Sequence, residues 1–544
     1  MTDGPLIVQS DKTALLEIDH PLANDARHDL AVFAELERAP EHVHTYRITR
    51  LGLWNARAAG HDAEFVLATL DRYAKFAVPN AVRIDIEETM GRYGRLTIRL
   101  DDEGQLELVC DSQAILLEVI RNAKINALLG ERLGETAVRI QPFARGQLKQ
   151  ELLKLGWPAE DLAGYTPGEP HAIALEATGW SLRDYQQQAV DKFWNGGSGV
   201  VVLPCGAGKT LVGAGAMSVA QTNTLILVTN TVSARQWRDE LLSRTTLTEE
   251  EIGEYSGSMK EIKPVTIATY QILTTKKKSE FAHLSLLNAK DWGLIIYDEV
   301  HLLPAPIFKM TADLQARRRL GLTATLVRED GKEADVFTLI GPKRYDAPWK
   351  QIEAQGYIAP ANCYEVRIDL PEAERFEYAV ANQDDRYRIA ATSPVKIPVI
   401  QSLMKKHAGE PTLIIGQYLD QIDQIADALK VPKITGGTPI DERERLFQAF
   451  RSGEVKTLVV SKVANFSIDL PEASVAIQMS GSYGSRQEEA QRLGRVLRPK
   501  ADGRSASFYT LIARDTVDQD FAQNRQRFLA EQGYSYQILD AHAL

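Results

Sequence analysis

The residues with the plainest chemical use stand in one short run. Val200-Val201-Val202-Leu203 reads as a buried strand, and it feeds Pro204-Cys205-Gly206-Ala207-Gly208-Lys209-Thr210 and then a helix. Small residues in such a loop leave backbone N–H groups facing a phosphate, and the helix N-terminus adds its dipole. Lys209 would then reach the β and γ phosphates of ATP, and the Thr210 hydroxyl would ligate Mg²⁺. The cradle is Leu203, Pro204, Cys205, Gly206, Ala207, Gly208, Lys209 and Thr210. The general phosphate-loop pattern asks for glycine where Leu203 stands. The bland alternative is an ordinary glycine turn before a helix.

A second apolar strand, Leu294-Ile295-Ile296-Tyr297, ends in Asp298-Glu299-Val300-His301. In a phosphate-loop fold the first carboxylate can hold Mg²⁺ through water, and the second can polarise the attacking water. An Asp-Glu pair alone suits many solvated loops; joined to the loop at Lys209 it describes a hydrolytic site. His301 stands where it could sense the nucleotide. Leu322-Thr323-Ala324-Thr325 ends the next strand, and its hydroxyls could bond Asp298 or Glu299 and couple the site to a neighbouring domain. Upstream lies Trp180-Ser181-Leu182-Arg183-Asp184-Tyr185-Gln186. The Gln186 amide could bond the edge of adenine, and Arg183 could stack on the base or hold a phosphate.

Far downstream, Gln491-Arg492-Leu493-Gly494-Arg495-Val496-Leu497-Arg498 spaces Arg495 and Arg498 three apart, on one face of a helix. Two guanidiniums together suit a triphosphate, and an arginine finger is worth about 10³ to 10⁵ in rate. A solvated basic helix is the plain alternative. With cradle and carboxylates in one domain and arginines in another, ATP bound in the seam is completed only when the domains close. Such an arrangement is a motor.

These residues need parallel sheets to position them. Short apolar strands alternate with helical segments at 200–203, 224–228, 265–268, 294–297 and 320–323, and again at 412–415, 457–460, 475–479 and 507–512. The fold class expected is α/β, with two tandem parallel-sheet domains behind an α+β N-terminal region. That region carries a hairpin from Pro5 to Ile18, a helix from Asp62 to Phe76 and a half-exposed strand from Arg95 to Leu100. Expected divisions are 1–125, a small helical unit and linker at 126–178, motor domain 1 at 179–350, a connector at 351–395 and motor domain 2 at 396–544.

With 63 Lys and Arg against 73 Asp and Glu, the chain carries a net charge of -10. An acidic whole does not argue for nucleic-acid binding by bulk attraction, and any such surface must be local. Three scattered cysteines, Cys110, Cys205 and Cys363, make no zinc or iron–sulfur framework. The N-terminus lacks the profile of a signal peptide, and no apolar run reaches the length of a membrane span, so a cytoplasmic location and no membrane partner are expected.

In this order the motifs resemble superfamily 2 helicases, and within them the XPB family of its actinobacterial type. The resemblance rests on Leu182 to Gln186, Leu203 to Thr210, Asp298 to His301, Leu322-Thr323-Ala324-Thr325-Leu326-Val327-Arg328-Glu329-Asp330 and Gln491 to Arg498, with the ending Arg525 to Tyr534. The run Arg328-Glu329-Asp330 is its most specific part, and Leu203 is what the family shows there. The resemblance implies a 3′→5′ DNA helicase or translocase with two tandem RecA-like domains, acting in DNA repair and using ATP and Mg²⁺. Catalysis would fall to Lys209, Asp298, Glu299, Gln491, Arg495 and Arg498, with Mg²⁺ on Thr210 and Asp298. Arg328, Glu329 and Asp330 would act at the DNA fork. Residues 1–125 would dock partners, such as a repair nuclease or a transcription assembly, and residues 126–178 would be a damage-recognition unit.

Two stretches depart from the family. The segment Pro371 to Ser393, where a basic thumb is usual, carries Gln383-Asp384-Asp385-Arg386, and carboxylates repel phosphate. Ala464-Asn465-Phe466 stands where eukaryotic members have Gly-Asp-Thr, while Asp469 remains and could bond a ribose. Arg235, Thr323, Thr325, Arg328, Glu329, Asp330 and Asp469 are the residues expected on the DNA side. Trp237 could stack on a base or sit in the core. The alternatives are a duplex translocase that separates no strands, a nucleotide-dependent switch that never moves on DNA, and RNA as the track.

Overall fold

The computed structural model describes residues 4–176, 178–204, 206–277, 279–326, 331–347, 352, 361–461, 473–480, 505–531, 534 and 536–544. The first sheet is antiparallel, in the order β1-β2-β4-β3, from β1 (Leu6–Val8), β2 (Thr13–Glu17), β3 (Ala34–Arg38) and β4 (Val43–Ile48). The expected hairpin is β1–β2, with Leu6 opposite Leu16. Four helices cover the sheet, among them Ala63–Tyr73, which the Asp62 carboxylate caps by accepting the Phe65 N–H at 2.8 Å.

A second sheet follows, in the order β7-β8-β6-β5-β9, from β5 (Leu96–Leu100), β6 (Leu106–Cys110), β7 (Leu129–Arg132), β8 (Ala137–Ile140) and β9 (Ala159–Asp161). Its core runs from Leu96 to Ala163, with Leu108, Leu116, Val138, Leu148 and Leu152 buried together. The expected division at 125/126 falls inside this sheet. Its strands are short and half polar, so pattern alone separated the β5–β6 hairpin from partners that return only after Leu129. We place the division near Gly94 instead.

Motor domain 1 is a seven-stranded, wholly parallel sheet. Its strands are β10 (Gly199–Val202), β11 (Thr224–Val228), β12 (Ile252–Tyr255), β13 (Val265–Thr269), β16 (Leu294–Asp298), β17 (Arg318–Thr323) and β18 (Lys343–Asp346), in the order β12-β13-β11-β16-β17-β10-β18. Between β13 and β16 in the chain a small hairpin joins β14 (Lys276–Lys277) to β15 (Glu280–Phe281). Helices cover both faces, so inner strands such as β11, Thr-Leu-Ile-Leu-Val, are buried at every position. Motor domain 2 repeats the plan in the order β21-β22-β20-β23-β24-β19-β25, from β19 (Ala361–Ile368), β20 (Thr412–Gly416), β21 (Lys433–Ile434), β22 (Thr457–Ser461), β23 (Val475–Gln478), β24 (Ala506–Ala513) and β25 (Tyr536–Asp540). The stretch expected to be connector supplies β19, which pairs along eight positions with β24. The segment compared with a thumb forms two helices, Glu372–Val380 and Gln383–Thr392.

Both N-terminal units are bolted to the motor. Lys149 and Arg145, from the helix Arg145–Leu155, grip Asp161 at 2.7 and 2.8 Å, and Lys149 also donates to Gln315 of motor domain 1 at 2.6 Å. On the other unit the buried Arg27 donates to the Ala530 carbonyl at 2.9 Å, at the end of the helix Val517–Glu531. Asn55 accepts the Lys343 N–H of β18 at 2.9 Å. The first unit therefore touches both motor domains. Among the described residues no helix is long and apolar enough to cross a membrane.

The Asp161 cluster carries a pH prediction. Burial pushes the Asp161 carboxyl up, but Lys149 and Arg145 outweigh it and hold the group well below the usual carboxylate range. A folded value below the unfolded one means stability is complete above about pH 4 and is lost as pH falls further, through the folded value. Asp161→Asn leaves two buried cations short of their counter-charge and is expected to cost about 3–5 kcal/mol. Hydrogen exchange is the check: at neutral pH the variant should lose protection in 94–163 first, as wild type does in acid.

Candidate nucleotide-binding site

Three strand ends build the site. β16, β17 and β10 are neighbours, with Asp298 opposite Leu322 and Val202 opposite Thr323, so their C-terminal ends lie side by side. In an open parallel sheet that edge, between strands whose connections diverge, is where ligands bind. The loop after β10 is tied back to β17, because the Leu203 N–H donates to the Thr323 carbonyl at 2.9 Å.

The loop holds its shape through glycine and through Gln186. Gly206 and Gly208 have φ of 81° and 80°, in the left-handed region where a side chain is strained. A Cβ on Gly208 would also stand 2.4 Å from Gln186 Nε2. The Tyr185 hydroxyl and Gln186 Nε2 both donate to the Ala207 carbonyl, at 2.7 and 2.9 Å. Gln186 Oε1 accepts the Arg183 N–H at 3.0 Å, closing the cap of the helix Asp184–Gly196. Gln186 is 1 % exposed, so the amide expected to read adenine is engaged here in pinning the phosphate loop. Arg183 caps that helix and donates to the Tyr185 hydroxyl at 3.1 Å.

Lys209 opens the helix Lys209–Ala220, and its Nζ donates to Glu299 Oε1 at 2.5 Å. Glu299 has φ of 49°, a left-handed conformation that costs a non-glycine residue about 1 kcal/mol or more. That kink turns its carboxylate back over the loop. Asp298 Oδ2 accepts from the Trp237 indole at 3.0 Å, and Oδ1 accepts the Glu299 N–H at 3.1 Å. The Tyr270 hydroxyl donates to the Asp298 carbonyl at 2.7 Å. Burial and the adjacent Glu299 charge push the Asp298 carboxyl up to about 6. Glu299 goes the other way: burial opposes its charge, but the Lys209 ammonium, with His301 behind it, holds the carboxyl below its ordinary range. Two adjacent carboxyls pushed apart in acidity can take separate tasks.

A polar chain leaves the site from Glu299. His301 Nδ1 lies 3.5 Å from Glu299 Oε2 and 2.7 Å from the Thr323 hydroxyl. Thr323 donates its one proton to the Thr325 carbonyl at 2.6 Å, so in the His301 contact Nδ1 carries the hydrogen. The Thr325 hydroxyl then donates to Glu531 Oε2 at 3.1 Å, at the end of the helix Val517–Glu531 of motor domain 2. The Thr323 hydroxyl thus meets His301, not Asp298 or Glu299 as expected. Thr323 and Thr325 are 0 % and 6 % exposed, so the side chains expected on the DNA side are buried here. Trp237 is 1 % exposed and belongs to the core, which removes it as a base-stacking residue. Arg235, two residues before it, is exposed on the helix Thr231–Arg244.

The loop and the paired carboxylates fit a nucleoside triphosphate with Mg²⁺. Among the described residues no cage of His, Cys, Asp and Glu gathers. Mg²⁺ needs none, since a carboxylate, a hydroxyl and phosphate oxygens serve it. Cys205, Arg328, Glu329, Asp330, Asp469, Gln491, Arg495 and Arg498 lie outside the described residues. Sequence reasoning missed Glu531 and the Trp237 hydrogen bond; each meets its partner only through the fold, and no local spacing signals it.

Known proteins align along the whole chain. The family described as "ERCC3/RAD25/XPB C-terminal helicase" matches residues 352–543, "Type III restriction enzyme, res subunit" matches 179–328, and "Helicase conserved C-terminal domain" matches 6–134. A "DNA 3'-5' helicase XPB" of Kineococcus radiotolerans is 70 % identical over 99 % of this chain and 97 % of its own length. One of the same name from Mycobacterium tuberculosis is 64 % identical over 100 % of this chain and 99 % of its own. The "General transcription and DNA repair factor IIH helicase/translocase subunit XPB/SSL2" of Saccharomyces cerevisiae is 30 % identical over 98 % of this chain and 72 % of its own. The chain belongs to the XPB family of superfamily 2 helicases.

Proposed function

We propose that this protein is an ATP-dependent DNA helicase that moves 3′→5′ and serves DNA repair. The observation that carries the ATP-driven part is the convergence of Lys209, Asp298 and Glu299 on one edge of a parallel sheet, with Lys209 2.5 Å from Glu299. The polarity and the DNA track are supported by the names of relatives alike over nearly their whole length. A repair or transcription partner is supported by the name of the yeast relative.

Lys209 and Glu299 hold each other's charge until a phosphate competes for the ammonium. Once Lys209 turns to that phosphate, Glu299 is released to take a proton from water. Bound Mg²⁺ would neutralise charge on the β and γ oxygens. Thr210 and Asp298 are the residues that would hold it. Arg495 and Arg498 would reach the same seam from motor domain 2. The chain Glu299–His301–Thr323–Thr325–Glu531 would report the state of the carboxylate to the other lobe.

Thr323→Val removes that link and leaves Lys209, Asp298 and Glu299 untouched. Hydrolysis should stay within about threefold, while unwinding falls by about 5- to 150-fold, the usual span of a coupling between sites. Equal losses in both assays would remove the coupling role. The function itself is tested by strand displacement on forked duplexes. Release should need ATP and a 3′ tail. ATP use without strand release on either polarity would overturn the helicase reading.

A further inference from the structure

We propose that Trp237 is a positioning residue for Asp298: its indole N–H fixes the carboxylate that would hold Mg²⁺, and so links the exposed helix Thr231–Arg244 to the ATP site. This rests on the reading of Asp298 given above. Indole nitrogen can only donate, and a buried donor without a partner is costly, so the partner it takes is a strong restraint on that partner. Here the partner is Asp298 Oδ2 at 3.0 Å, and Trp237 is 1 % exposed.

The ring has no room to turn. A Cβ on Gly213, in the helix that opens at Lys209, would stand 2.4 Å from Trp237 Cη2 and 2.9 Å from Cζ3. The same point lies 3.6 Å from Ile296 Cδ1, on the strand that ends at Asp298. The indole is therefore wedged between the phosphate-loop helix and the carboxylate strand, and its N–H is aimed by packing. Opposite, Thr231 and Arg235 stand exposed on the same helix, whose N-terminus is capped by the Asn230 side chain. Anything that shifts this helix moves the donor that holds Asp298.

A core tryptophan with no such task would tolerate loss of the N–H alone. Replacing Trp237 by 3-benzothienylalanine, which keeps the ring shape and removes the N–H, makes that separation; Trp237→Phe is the companion variant. Binding of a fluorescent ATP analogue to the full chain is titrated in EDTA and against Mg²⁺. The inference expects affinity in EDTA within about twofold of wild type and a Mg²⁺ midpoint raised about fivefold or more, as for loss of one hydrogen bond to a charged group. In an Asp298→Asn background the benzothienyl change should add nothing, since Trp237 acts through that carboxylate. An unchanged Mg²⁺ midpoint would overturn the inference, and so would a shift that persists with Asp298→Asn. A wild-type chain that binds the analogue no better with Mg²⁺ would instead sink the reading of Asp298 itself, and this inference with it.

Discussion

Lys209→Ala is expected to end ATP turnover, with a loss of about 10³-fold or more, as when a preorganised charge is taken from a site where negative charge develops. Two effects compound. The ammonium is lost to the phosphates, so nucleotide affinity falls with the rate. In the resting chain Glu299 also loses the larger of the two positive charges that hold it below its ordinary acidity range, with His301 remaining, so burial raises its carboxyl before nucleotide arrives. Glu299→Gln separates the two. It removes the base and the carboxylate that competes with phosphate for Lys209, so turnover should fall by about 10² to 10⁴ while nucleotide affinity holds or tightens. Steady-state hydrolysis beside equilibrium binding of a labelled nucleotide reads both. Normal turnover in either variant would remove the assignment.

Arg495→Ala is expected to cut turnover by about 10³ to 10⁵ and leave nucleotide affinity within about threefold, the signature of a guanidinium used only in the transition state. The sequence run Gln491 to Arg498 supplies the residues, and the described part of motor domain 2 supplies the setting. β23 and β24 are neighbours in its parallel sheet. The chain leaves the C-terminal end of β23 at Ser480, whose hydroxyl accepts the Gln417 N–H at 2.8 Å and donates to Gln421 at 2.9 Å. Just before it, the Met479 carbonyl accepts from the buried Lys396 at 2.8 Å, which Asp518 neutralises at 3.2 Å. Ser480 thus ends a braced edge of the sheet, the last described point of the chain before Arg495. DNA-stimulated turnover and binding, measured together, check the prediction.

What was legible in the sequence was local. The phosphate loop announces itself because strand, glycines, lysine and helix are consecutive. Asp298-Glu299 does so because a continuous apolar strand carries it to the sheet edge. Buried parallel strands such as Thr224–Val228 need only an unbroken apolar run. The edge strands escaped for the opposite reason: β18 reads Lys-Arg-Tyr-Asp and β25 is half exposed along its length, so neither carries an apolar signature. The sheet spanning 96 to 161 escaped because its partners lie on both sides of a helical stretch. In the site, Gln186 shows the limit most plainly. Its position before the first strand brings it to the phosphate loop, but whether an amide faces a base or a loop carbonyl depends on three-dimensional placement. Trp237 and Glu531 are the same case: one meets Asp298 across 61 positions and the other meets Thr325 across 206.

In the proposed mechanism a triphosphate is held in a seam, gripped by motor domain 1 and triggered by motor domain 2. The most direct measurement is a structure of the full chain on forked DNA with a γ-phosphate transition-state analogue and Mg²⁺. The account predicts the guanidiniums of Arg495 and Arg498 at about 2.7–2.9 Å from the analogue's oxygens, with Lys209 turned from Glu299 to the phosphates. Both guanidiniums directed away from a bound analogue, with Lys209 still paired to Glu299, would contradict it.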